Sequence, residues 1–158
     1  MQRRRGFTII ELVVTLAIIG ILATAALPLA ELAVKRSKEN DLRHALREIR
    51  TAIDEYKKAT ADGRVAKAAD ATGYPPSLDV LVAGAENKKD PGNKKIYFLR
   101  RLPRDPFYVD ADPASPADTW GKRAYESPPD NPRPGKDVYD VYSQSEGTGL
   151  NGVPYKDW

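Results

Sequence analysis

The chain has 158 residues, with 25 Lys and Arg against 22 Asp and Glu, one histidine and no cysteine. That length suits one domain of ordinary size plus an extension. The lack of cysteine excludes disulfide staples, thiolate nucleophiles and Cys-ligated metals. Removing the first six residues takes away Arg3, Arg4 and Arg5 and brings the charges to parity, so the slight basic excess points to no nucleic-acid partner.

From Phe7 to Ala30 the only formal charge is Glu11. A helix of that length rises about 36 Å, enough to cross a hydrocarbon core of about 30 Å. Ala23, Ala25 and Ala26 imitate a signal-peptide cleavage site. The apolar run is too long for a secretory signal, however, and continues past them through Pro28 and Leu29. Arg3 to Arg5 favour a cytoplasmic N-terminus, although Lys35, Arg36 and Lys38 stand beyond the other end.

Glu11 has two readings. An acid at the centre of a membrane helix costs about 2.5 to 3.5 kcal/mol on insertion scales, less near the interface, and usually has a partner. It lies only about 6 Å below the start of the run, so it either rests in the headgroup layer or waits for a cation. Pro28 also has two readings, because it cannot donate to the Thr24 carbonyl and its ring crowds the preceding turn. It either kinks a continuous helix or starts a new segment.

Read as one motif, "RRRGFTIIELVVTLAIIGILATAALP" resembles the N-termini of type IV prepilins and type II secretion pseudopilins. The resemblance implies cleavage between Gly6 and Phe7 by a membrane-embedded prepilin peptidase, followed by N-methylation of Phe7. Glu11 is then implied in assembly, pairing with the Phe7 amine of a neighbouring subunit.

Leu42, Leu46, Ile49, Ile53 and Tyr56 recur in steps of four and three, the apolar stripe of an amphipathic helix. This stripe predicts core, and a helix continuing the membrane segment to about residue 60. His44 falls on the opposite side of the wheel and is read as solvent-facing. Gly63 marks a helix end. In "GYPPSLDVLV", Ser77 is expected to cap a short helix over about 78–82, and "AENKKDPGNKK" is a charged loop. Among the prolines of the last third, strands fit at 123–126 and 138–142, with a weak one near Val153. Asp137 and Asp140 alternate with strand residues and are read as solvent-side positions. Residues 105–119 read as a surface excursion or a disordered insertion.

The landmarks "GYPPSLDVLV", "YFLRRLPRDPF", "WGKRAY" and "DVYDVYS" resemble, in the same order, those of the major, G-type pseudopilin of type II secretion. Phe107 stands where that family usually has Trp, and Trp120-Gly121 come after the 105–119 insertion. The implied fold is α+β: a long N-terminal helix packed on a small antiparallel sheet with long loops. The implied organisation is a cleaved leader (1–6), a transmembrane and polymerisation helix (7–30), its amphipathic half (31–62) and a periplasmic globular domain (63–158), anchored by a single pass in a bacterial inner membrane. The implied partners are further copies of the chain, the prepilin peptidase, minor pseudopilins, and the inner-membrane platform with its secretion ATPase.

G-type subunits commonly bind calcium in the loop after the last major strand, here "SQSEGTGLNGVPYKDW". Glu146, Asn151 and Asp157 are the candidate ligands, a thin supply for an ion that prefers six to eight oxygens and several carboxylates. The alternative is a Gly-rich loop held by Tyr155 and Trp158 packing on the sheet. No nucleophile with a base, metal cluster or phosphate loop points to an enzyme. The competing functions are a type IV or competence pilin and a membrane-anchored periplasmic binding domain.

Overall fold

The structure is a computed structural model that describes residues 6–92, 94–109 and 115–158. Of the sequence expectations, residues 1–5 of the leader and 110–114 of the insertion lie outside the described residues. The chain divides into two compact units, residues 1–37 and 38–158. Helix α1, Ile9–Ala61, contributes to both.

In the first unit α1 is apolar and exposed. Phe7, Ile9, Ile10, Leu16, Ile18, Ile21, Leu27 and Leu29 all face outward, as a helix does when its solvent is meant to be lipid. The helical assignment runs unbroken through Pro28, so the reading in which Pro28 starts a new segment does not describe this chain. The Thr15 and Thr24 hydroxyls donate back to the Leu12 and Ile21 carbonyls, which satisfies these polar groups within the helix.

In the second unit the predicted stripe is the core. Leu42, Leu46, Ile49, Ile53 and Tyr56 are all buried, together with Leu78, Leu81, Trp120 and Val141. Tyr56 meets Phe98 with ring centroids 5.2 Å apart. Helix α1 ends in a Schellman motif. Arg64 N–H donates to the Ala59 carbonyl, Gly63 N–H donates to Thr60, and Gly63 takes a φ of 70° that only glycine adopts cheaply.

Helix α2, Asp79–Ala83, starts one residue later than expected, and the residue at its N-cap is Leu78, with no side-chain cap hydrogen bond. Ser77 therefore does not cap it. Two-residue strands β1, Ala85–Glu86, and β2, Lys95–Ile96, pair antiparallel around the lysine-rich loop. The sequence reading places only a charged loop here, with no hairpin.

The second sheet pairs β3, Trp120–Arg123, with β4, Asp140–Ser143, antiparallel. Both strands differ from the expected 123–126 and 138–142, and β3 lies three residues upstream. The cause is local: Ala124 N–H bonds the Arg133 carbonyl and Ser127 N–H bonds the Ala124 carbonyl, turning the chain out of the ladder. Near Val153 only a single bridge forms, between Thr148 and Pro154. Gly121 sits opposite Tyr142, and a Cβ there would lie 2.3 Å from the tyrosine ring. The Trp-Gly pair thus buries its indole while leaving room for a ring to cross the strand.

Candidate functional site

At the start of the first unit, Gly6 and Phe7 are exposed. A Cβ built on Gly6 meets nothing within 4 Å. Thr8 precedes the first helical residue, and its hydroxyl oxygen accepts the Glu11 N–H at 3.3 Å. Thr8 and Glu11 thus occupy the N-cap and N3 positions of a capping-box sequence. The Glu11 carboxylate lies in the first turn of α1, where the helix dipole favours negative charge. Among the described residues no cation pairs with it. Motif reading had found Glu11 and missed Thr8, although the Thr-x-x-Glu spacing is legible in the sequence.

Among the described residues of the second unit, three acids are buried and each accepts one backbone N–H and one hydroxyl. Asp105 accepts from Phe107 N–H at 2.8 Å and from the Ser143 hydroxyl at 2.5 Å. Asp137 accepts from Tyr125 N–H at 2.9 Å and from the Thr72 hydroxyl. Glu39 accepts from Leu150 N–H at 2.8 Å and from the Tyr155 hydroxyl at 3.1 Å. Asp137 is therefore not a solvent-side residue. Asp140 is not one either: it is half-buried and pairs with Arg50 at 2.8 Å. Strand alternation misplaced both because their partners come from distant segments. His44 stays on the exposed face, 3.7 Å from Glu48.

The two ends of the 105–119 excursion meet. Asp105 N–H donates to the Thr119 hydroxyl oxygen at 3.1 Å, and the Trp120 indole N–H donates to the Pro103 carbonyl at 2.9 Å. The Pro103 to Pro106 run and the Trp120-Gly121 pair, separated in sequence, are thereby rejoined in space. Phe107, at the family's usual Trp position, stacks on Tyr155 with centroids 4.1 Å apart.

Residues 1–27 match the family described as the prokaryotic N-terminal methylation motif. The chain is 31% identical over 121 residues to the type II secretion system core protein G of Vibrio cholerae, covering 75% of each chain. It is 32% identical over 113 residues to core protein G of Pseudomonas aeruginosa, covering 68% of this chain and 72% of the relative. The chain belongs to the type II secretion core protein G family. This major pseudopilin also resembles the fimbrial protein EcpB of Eikenella corrodens, 41% identical over 54 residues and 34% of each chain. No solved structure matches it.

The pseudopilin's C-terminal loop does not offer the donors calcium prefers. Asn151 and Asp157 line a cleft of about 350 Å³, but Arg43, Arg47 and Arg50 line it with them, and Glu146 does not. The Asn151 side-chain oxygen accepts Val153 N–H at 3.1 Å. Among the described residues no three His, Asp or Glu side chains gather where one ion could hold them. The loop is closed by its own contacts. Tyr155 is buried, Trp158 meets it edge-on at 5.1 Å, and Arg43 stacks on the Trp158 ring at 4.3 Å. Burial, followed by the hydrogen bond to the Glu39 carboxylate, pushes the Tyr155 phenol up to about 12.

Proposed function

We propose that this pseudopilin is cut between Gly6 and Phe7, methylated at Phe7 and polymerised in the periplasm into a short filament that drives export of folded proteins. The observation that carries this reading is the first half of α1. It is a helix long and apolar enough to cross a membrane, with none of that apolar stretch buried, and it begins within the matched methylation motif. Before assembly the helix resides in the inner membrane with residues 38–158 on the periplasmic side. In the filament the same face packs against neighbouring copies. Glu11 then meets the methylated amine of an adjacent Phe7, which turns a costly lipid-embedded acid into an assembly signal. The partners are the prepilin peptidase, minor pseudopilins, and the membrane platform with its ATPase. The chain is a structural subunit, in keeping with the relatives named as secretion core proteins.

Glu11→Gln in a strain lacking the native subunit tests this. Cleavage at Phe7 is expected to persist while filaments and exoprotein export are lost. Normal export by the variant would refute the pairing. The EcpB likeness over 54 residues supports one competing reading, a surface pilus. In that case deletion of the chain would abolish surface fibres and leave export intact.

A further inference from the structure

G-type pseudopilins are implied to close the C-terminal loop around calcium, and this chain reaches the same loop with a side chain from α1. We propose that the Glu39 carboxylate takes the place of the cation, so that the loop closes without metal. Glu39 is 4% exposed, and its Oε1 accepts both Leu150 N–H and the Tyr155 hydroxyl. One acid thus ties two points of the loop to the helix, each more than 100 residues away in sequence.

The polarity is the reverse of a calcium site. Calcium gathers oxygens that present lone pairs, whereas a carboxylate gathers N–H and O–H donors, and donors are what the loop turns toward Glu39. Four of the loop's own acceptors are engaged elsewhere. Gly147 and Gly149 carbonyls accept from Tyr155 and Gly152, the Val153 carbonyl accepts from Gly149 and from the Trp158 indole N–H, and Asn151 Oδ1 accepts from Val153. Arg43, Arg47 and Arg50 line the cleft holding Asn151 and Asp157; Arg50 is paired with Asp140, and the field of Arg43 and Arg47 opposes a divalent cation. Asp105 and Asp137 close other loops with the same pair of donors, one N–H and one O–H. The device therefore recurs within this fold.

The test uses the full chain in detergent micelles. Thermal unfolding is followed with excess calcium and with a chelator, and terbium is added as a luminescent probe that nearby Tyr155 and Trp158 would sensitise. The expected result is one melting temperature in both conditions and no sensitised emission. A higher melting temperature in calcium, or terbium emission displaced by calcium, would overturn the proposal. In Glu39→Ala, amide exchange at Leu150 should quicken about tenfold or more, because its N–H loses a charged acceptor, and calcium should not restore it. Tyr155→Phe keeps the ring packing and stands in if Glu39→Ala does not fold. Its melting temperature should drop by the same amount in calcium and in chelator. Unchanged Leu150 exchange in Glu39→Ala, or recovery of either variant in calcium, would count against the latch.

Discussion

Glu11 has two jobs that a single substitution would confound, since it sits at N3 of a capped helix and is also the proposed partner of a neighbouring amine. Thr8→Ala and Glu11→Gln separate them. Thr8→Ala removes the hydroxyl that accepts the Glu11 N–H, a loss of about 1 kcal/mol in helix stability, yet keeps the charge, so filament yield in cells should stay near wild type. Glu11→Gln keeps a good N3 residue and removes the charge, so filament yield should collapse. Gly121 is a second residue with a single tolerable identity. Gly121→Ala drives a methyl into the Tyr142 ring and should cost about 1 to 3 kcal/mol, read as a lower chemical-denaturation midpoint at unchanged slope. Glu11 and Gly121 were both findable from local motifs. Asp137, Asp140 and Glu39 were not, because their partners, Thr72 and Tyr125 for Asp137, Arg50 for Asp140, and Leu150 and Tyr155 for Glu39, come from other segments, and no local spacing encodes these.

Helix α1 was legible almost to its ends, and the strands were not. Its first half shows as an uninterrupted apolar run and its second as a stripe in steps of four and three, and both patterns extend over many turns. Each residue of that stripe is buried. Ile49→Ala or Ile53→Ala should therefore destabilise the second unit by about 2 to 5 kcal/mol, measurable as a loss of melting temperature with the membrane half of α1 unaffected. The β1–β2 hairpin contributes two residues per strand, too few for any alternation to register. Strand β3 was displaced because Ala124 leaves the ladder to bond Arg133, a contact across a proline-rich turn. The excursion between Asp105 and Thr119 is closed at its base by a hydrogen bond between those two residues, which explains how the family's Pro-Asp-Pro and Trp-Gly elements stay together around added chain. The candidate calcium ligands follow from position in the family, and position alone does not reveal the three arginines that share a cleft with Asn151 and Asp157.

For the whole molecule, the closed C-terminal loop predicts a specific response to alkali. Tyr155 ionises near 10 in an unfolded chain and is pushed up to about 12 when folded. Its folded-state pKa is raised, so the protonated phenol contributes stability that is fully present below pH about 10 and is lost as pH rises toward 12. Unfolding free energy should fall across that window, and Tyr155→Phe should show a shallower fall over the same pH range. The proposed loss of the leader would leave equal numbers of acids and bases, so contacts between copies would depend on local charges such as Glu11 and the new Phe7 amine more than on a net field. The proposed filament depends on one processing event at Gly6. Mass spectrometry of the protein isolated from its native membrane tests that event directly. The account predicts a mature chain beginning at N-methylated Phe7, whereas a chain that still carries residues 1–6 on an unmodified membrane helix would contradict it.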